Sequence, residues 1–419
     1  MSQAEDRDQD EASGAGEAHE ASGAGLMAGP PPFGPDRQVT LANWQQPPFN
    51  RWAFQHVREL IPSAPIPRGD GPVWELSRAE RDLGGIRFST EHFGELTVGQ
   101  LLEATCTDGF LVIHGGQIVT EQYFNGLRPE TPHLLMSVSK SVTGLLAGAL
   151  VTRNALDVDA PVEAVVPELA GTSFAGSTVR QLLDMRTGTR FGEDYDDPDS
   201  DVANTDRIYG WLPDNGKPRP ASALEYFATL SNDGPHGGPF RYRSILIDVL
   251  AWVLEKAGQG RFHDLVAREI WQPMGAEFDA EITVDSRGNA AADGGMSATL
   301  RDTGRLGLLA LRRGRAAGAQ LIERSWFDDT IAGAPDGAEA FAASDFAPGY
   351  PVGAHYRNCW WVSEPARPAF SASGINGQHV FVHFPSRTVA VKLSSWPTAL
   401  SAPMRRATIA AVAAITDHL

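Results

Sequence analysis

Ser137 stands three residues ahead of Lys140 at the start of an apolar, small-residue run, MSVSKSVTGLLAGAL (136–150). Of the 35 Lys and Arg residues in the chain only four are lysines, Lys140, Lys217, Lys256 and Lys392, so a lysine at this place calls for a reason. An arginine stays protonated, whereas a lysine ammonium can be made neutral by its surroundings and then act as a base. On a helix, residues three apart share a face and their side chains meet. In a first turn, the unpaired amides and the positive end of the helix dipole disfavour an ammonium, which predicts a lowered Lys140 pKa. The Ser137 amide would also be free to meet a developing oxyanion. The chemistry implied is nucleophilic, a hydroxyl activated by a neighbouring amine. The plainer alternative, a helix cap followed by a solvated cation, sits badly with a lysine between LLMSVS and SVTGLLAGAL.

Such a pair needs a further proton-transfer group. Tyr242 in PFRYRSILIDVLAW precedes an amphipathic segment, and Tyr195 lies in the acidic loop FGEDYDDPDSD. From the residues alone an ordinary half-buried tyrosine or a solvated loop explains either equally well. Other chemistries lack their signatures: there is no Gly-x-Ser-x-Gly elbow, no P-loop and no GxGxxG. His379 and His383 fall four apart on an expected strand, hence ~13 Å apart at ~3.3 Å per residue, too far to chelate one ion. Neither a metal nor another cofactor is expected. A formal charge of −17 argues against nucleic acid and anionic membrane and favours neutral or cationic small partners. No apolar stretch approaches the ~18 residues of a membrane span. Cys106 and Cys359 lie in apolar surroundings, which predicts free thiols rather than a disulfide. The expected location is cytoplasmic.

The elements that would position these residues can be read from periodicity and punctuation. Residues 1–42 form an expected disordered acidic tail, with EASGAG occurring twice, at 11–16 and 20–25. Order is expected from Asn43, with a helix after the prolines of WQQPPFNRWAFQHVREL. Phe110–His114 and Gln117–Thr120 around Gly115-Gly116 predict a hairpin. Helices are expected over Ser137–Val151, Ser222–Leu230, Ser244–Lys256 and Met404–Leu419, and strands over GQHVFVHF and RTVAVKL. Strands at both ends with helices between them predict an α/β fold in which an antiparallel sheet is flanked by helices and carries an inserted, mainly helical domain. The expected division is 43–155 and 285–419 for the two parts of the α/β domain and 156–284 for the insertion, with the site in the cleft between the layers.

At this level the chain resembles the penicillin-recognising serine hydrolases (the class C β-lactamase group), and within them the 6-aminohexanoate-dimer hydrolases. The resemblance runs from WQQPPFNRWAFQHV through HLLMSVSKS, FGEDYDDP, TDRIYGW, FRYRSILIDVLAW, GGMSATLRD and GINGQ to VKLSSWP. It implies a β-lactamase/transpeptidase-like fold with Ser137 as acylating nucleophile and Lys140 as its base partner. Tyr242 would relay the proton to the leaving amine, and Tyr195 would close over the bound amide. The oxyanion hole would use the backbone amides of Ser137 and Ile375. Asp206 aligns with the acidic position that holds a substrate amino group, against the simpler reading of a surface aspartate paired with Arg207. Asp293 makes the cleft more acidic than the family pattern, and Asn376 and Trp361 complete the substrate-binding candidates. The family's Lys-Thr-Gly is replaced by Ile375-Asn376-Gly377, so β-lactam turnover is not expected. Specificity should shift toward substrates without a carboxylate at that spot. The partner implied is a small amide or ester, with a free amino group favoured; a homodimer is compatible with the resemblance. The rival readings are a short-chain carboxylesterase and a catalytically inactive binding relative.

Overall fold

Strands from both ends of the chain meet in one seven-stranded antiparallel sheet in the computed structural model, which describes Gly23, residues 25–363 and residues 366–419. The strands are β1 (Thr107–His114), β2 (Gln117–Tyr123), β3 (His355–Arg357), β4 (Trp360–Val362), β5 (Ala369–Gly374), β6 (Gln378–His383) and β7 (Thr388–Ser394). Their spatial order is β3-β4-β5-β6-β7-β1-β2, so the early hairpin docks on the last strand, with Val112 opposite Ala390. The hairpin turns at Gly115 and Gly116 with φ of 57° and 89°, left-handed values that a two-residue turn needs and that glycine adopts without steric cost.

Side chains alternate across a strand, and β1 uses both faces. Leu111 and Ile113 enter the main core, while Phe110 and Val112 enter a second one with Ala407, Ala411 and Ile415. Those three residues belong to the C-terminal helix Ala402–His418. It is the last of four principal helices, α1 (Val138–Thr152), α2 (Ile245–Gly258), α3 (Leu300–Leu311) and α4 (Ala402–His418). The sheet is therefore covered on both sides. α3 lies close on it because a Cβ at Gly304 would come within 2.6 Å of Leu111, and one at Gly307 within 2.5 Å of Val389. α1 is buried from Val138 to Leu150, as expected of a helix apolar all round. A smaller four-stranded sheet of Ser63–Ile66, Ala280–Thr283, Met296–Ala298 and His133–Leu134 leads the chain directly into Ser137.

Three expectations need correction. The tail was expected to run to residue 42, yet Leu26 and Val39 are buried in the main core, because they are apolar side chains within reach of it. Residues 1–22 and Ala24 lie outside the described residues. The helix expected after the prolines is cut to Asn50–Ala53 and the turn Val57–Glu59, since the Phe54 carbonyl accepts from Leu134 of the small sheet instead of continuing a helix. The helix expected over Ser222–Leu230 spans only Ala223–Phe227; the chain beyond it is drawn into extended pairing, with Asn232 bridging Thr189. Among the described residues no helix is long and apolar enough to cross a membrane, and Cys106 and Cys359 are free.

Candidate active site

The strand ending at Leu134 turns into α1 through Met136, whose φ of 47° is a left-handed value costly for a side chain with a Cβ. Ser137 then occupies the N-cap, but its side chain caps no backbone amide. Its Oγ is left available, and Lys140 Nζ donates to it at 2.9 Å. Lys140 is buried and also donates to the Asp293 carbonyl at 2.7 Å, with the Asp293 carboxylate at 3.7 Å. The pair predicted from spacing is in contact. Its predicted electrostatics are reversed: burial does work to lower the Lys140 pKa, but the Tyr242 oxygen and the carboxylates of Asp293, Glu193 and Asp248 outweigh it and raise the value. Groups that folding brings to the amine, Tyr242 first and then the acids, set the direction of this shift.

Tyr242 lies beside this pair on the same cavity as Ser137, with the Lys140 nitrogen 5.2 Å from its ring centre. Burial raises its phenol pKa and Glu193 adds to this, while Lys140 pulls the other way. The Tyr195 hydroxyl donates to Glu193 at 2.8 Å, and burial followed by Glu193 raises its pKa. Glu193 also accepts from the Ser244 amide at 2.7 Å and from the Ser244 hydroxyl. It thus ties the loop of Tyr195 to the loop of Tyr242. Sequence reasoning missed Glu193, although its place two residues before Tyr195, matching Ser244 two after Tyr242, was the available signal. Asp248 of α2 was missed as well. It is buried, accepts from the Asp293 amide at 3.1 Å, and has its pKa held well above the carboxylate range by burial and by Asp293.

The end of β5 closes over Ser137. A Cβ at Gly374 would stand 2.9 Å from the Ser137 amide nitrogen, so only glycine lets the Ile375 peptide come this near to it. A cavity of about 390 Å³ opens there, lined by Ser137, Tyr195, Tyr242, Trp361 and Ile375 among others. Trp361 stacks between Tyr242 at 5.5 Å and Tyr350 at 5.4 Å, forming an aromatic wall. A neighbouring cavity of about 370 Å³ shares Tyr195 and Ile375 and contains Asp206. A larger cavity, about 810 Å³, shares Glu193, Tyr242 and Phe346 with the one over Ser137, but Ser137 does not line it.

Asp206 is not paired with Arg207, whose guanidinium donates to the Pro198 and Ala203 carbonyls at 2.8 and 3.1 Å. Burial, then Asp293 and Glu193, push the Asp206 carboxyl up to about 8. Two substrate-binding expectations need revision. Asp293 lines neither cavity, because its carbonyl and carboxylate face Lys140. Asn376 does line the cavity of Asp206, but its amide nitrogen is committed to the Trp396 and Thr398 carbonyls, which fixes a turn of the wall. Among the described residues no group of three or more His, Cys, Asp or Glu could hold a metal ion.

A mixed sheet-and-helix fold whose central helix presents Ser-x-x-Lys to a tyrosine and a sheet edge defines a class, and residues 97–414 match the Beta-lactamase family. The chain belongs to that family of serine hydrolases. It is 38% identical over 384 residues to the 6-aminohexanoate-dimer hydrolase of Paenarthrobacter ureafaciens, covering 90% of this chain and 92% of the relative. A solved Bacillus anthracis protein, provisionally assigned as a 6-aminohexanoate-dimer hydrolase, superposes with a TM-score of 0.83 at 26% identity, over 92% of this chain and 98% of its own. A family VIII carboxylesterase shares the fold at a TM-score of 0.57 and 14% identity, over 75% of this chain and 93% of its own.

Proposed function

We propose that this protein hydrolyses short linear amides, 6-aminohexanoate dimers among them, through an acyl-enzyme on Ser137. The observation that carries the reading is the 2.9 Å contact of Lys140 Nζ with Ser137 Oγ on a cavity that Tyr242 also lines, its ring centre 5.2 Å from the same nitrogen. The name of the 38% identical Paenarthrobacter relative supports the substrate class. On this reading the two α/β parts, 43–155 and 285–419, carry the nucleophile and the oxyanion strand, and 156–284 carries both tyrosines.

With its pKa raised by its neighbours, Lys140 serves as the ammonium that donates to Ser137, and the proton of Ser137 goes to Tyr242. Tyr242 is the base: its phenolate, stabilised by the adjacent ammonium, accepts the Ser137 proton as Oγ attacks the carbonyl. The oxyanion forms against the amides of Ser137 and Ile375. Tyr242 then passes the proton to the leaving nitrogen, with Tyr195 hydrogen-bonding beside it. Water attacks the ester in the second half as Tyr242 takes its proton, and Tyr242 returns that proton to Ser137 Oγ when the acid leaves. Asp206 holds the free ammonium of the acyl half. Carboxylic esters react at the same serine, since their leaving group needs less protonation.

The test pairs labelling with turnover. A fluorophosphonate should add to Ser137, and the 6-aminohexanoate dimer should be cleaved faster than its N-acetylated form. Absence of the adduct would overturn the serine mechanism. Equal rates on the two amides would remove Asp206 from amine recognition.

A further inference from the structure

α2 carries a buried acid that the steps above do not use. Asp248 follows Tyr242 within two turns of chain, yet it lines neither the cavity over Ser137 nor that of Asp206 and so meets no substrate. What it touches is the turn at residues 290–296, which holds Lys140. That turn is fastened to α1 on either side of the lysine. The Met296 amide donates to Ser139 Oγ at 3.1 Å, and Thr143 Oγ1 donates to the Ala292 carbonyl at 3.3 Å. Between these ties Lys140 Nζ donates to the Asp293 carbonyl at 2.7 Å, and the amide of the same residue donates to Asp248 Oδ1 at 3.1 Å. Asp248 thus fixes from α2 the residue that fixes Lys140. Since Tyr242 leads directly into α2, one helix places the tyrosine and, through Asp293, the amine.

The rest of its surroundings suit a carboxylic acid better than a carboxylate. Lys140 directs its nitrogen to Ser137 and to Asp293, whose carboxylate it meets at 3.7 Å, and not to Asp248. No donor reaches Asp248 Oδ2. Tyr209 lies beside it but commits its one proton to the Ala290 carbonyl at 3.2 Å. Glu255, on the same helix and the same small cavity, accepts from the Phe262 amide at 2.7 Å and brings no positive charge. A buried carboxylate with one amide donor and no cation in contact is costly, whereas the neutral acid has a proton to turn toward the Tyr209 oxygen. Burial, then the Asp293 charge, act in the same sense and raise its pKa.

We infer that Asp248 is a positioning residue that works as a neutral carboxylic acid: Oδ1 pins the Asp293 peptide and with it Lys140, while its proton leaves Asp293 as the one anion of the two beside the ammonium. This rests on the reading of Ser137 and Lys140 as the nucleophile pair given above. An ionised Asp248 would draw the ammonium toward α2 and away from Ser137.

The experiment compares Asp248→Ala and Asp248→Asn with the wild type on p-nitrophenyl butyrate. Asp248→Ala frees the Asp293 peptide and should lower kcat by about 10–10²-fold with little change in KM, as a displaced reacting group does. Asp248→Asn keeps the carbonyl acceptor without the charge, and should rescue kcat to within about threefold of wild type with the alkaline limb of the pH profile unmoved. Wild-type kcat in Asp248→Ala overturns the pinning. Failure of Asp248→Asn to rescue, or a displaced limb, overturns the neutral acid. Melting temperatures read the charge independently. The unfolded residue ionises at ~3.9 while the folded one keeps its proton, so wild-type stability falls as pH rises above that value, and Asp248→Asn escapes this fall. The difference between the two melting temperatures should widen in favour of Asp248→Asn from pH 4.5 to pH 7.5, and a constant difference removes the neutral acid. Should a fluorophosphonate leave wild-type Ser137 unlabelled, the serine mechanism fails separately, and crystal structures of the two variants decide the pinning. A Lys140 contact with the Asp293 carbonyl kept in Asp248→Asn and broken in Asp248→Ala sustains it, and one kept in both removes it.

Discussion

The charge states of three side chains carry the chemistry. On the proposed mechanism, with the Lys140 and Tyr242 pKa values both raised, the reactive state is an ammonium beside a phenolate, a minor population at neutral pH. kcat/KM for a neutral ester should therefore climb with pH on the alkaline side as the Tyr242 phenol loses its proton. Tyr242→Phe should lower kcat by about 10²–10⁴-fold and flatten that limb. Initial rates across pH check both, and an unchanged limb in Tyr242→Phe would return the role of base to Lys140. Asp206, at about 8, is largely protonated at pH 7 in the empty cleft. KM for the free-amine dimer should fall as pH rises from 6 to 8, by on the order of tenfold, while the substrate amine stays protonated up to ~10. The N-acetylated dimer should show no such change. Because the folded state keeps the Asp206 proton up to about 8, well above the ordinary carboxylate value, this residue makes stability fall as pH rises through that window. Asp206→Asn should thus melt higher than wild type at pH 8.5 while losing amine selectivity, a trade of stability for function that calorimetry and KM together would expose.

Among the elements, the decisive fit is that of β5 against the turn into α1. A Cβ at Gly374 would stand 2.9 Å from the Leu135 carbonyl, from Met136 Cβ and from the Ser137 amide, none of them a flexible chain end. Gly374→Ala should displace the Ile375 amide from the nucleophile and reduce kcat by on the order of 10²-fold, with the fold retained. Circular dichroism alongside ester kinetics separates this from unfolding, and wild-type kcat would show that the β5 end does not form the oxyanion site. The elements themselves were legible where local signals are strong. The Gly115-Gly116 turn marked the hairpin, and the apolar run after Ser137 marked α1. They were misread where a distant partner intervened, as when Leu134 takes the Phe54 carbonyl.

Across the whole molecule, one sheet separates two cores, and a buried lysine sits within that sheet. Lys392 on β7 donates to Ser394 and Thr105, and burial pushes its amine down to about 7, with Cys106 and Asp108 acting in the opposite sense. Its folded-state pKa lies below the ordinary ~10.4, so the unfolded chain holds the extra proton between those values and stability gains from rising pH in that window. Lys392→Met should reduce the difference in melting temperature between pH 7 and pH 9.5 relative to wild type. An undiminished difference would place the titration elsewhere.

The sequence by itself determined that Ser137 and Lys140 meet, where the longest apolar strands and helices lie, and the family, because residues three apart on a helix meet and alternation or 3.6-residue periodicity is a local property. Only the tertiary structure decided the neighbours that raise the Lys140 pKa, the tie of Glu193 between two loops and the committed amide of Asn376. Each of these depends on groups tens to hundreds of residues away: Asp293 reaches Lys140 across 153 positions, and Trp396 meets Asn376 across 20. Electrostatics and hydrogen bonding act through space, and what spacing along a chain cannot supply is the set of neighbours that folding brings to it.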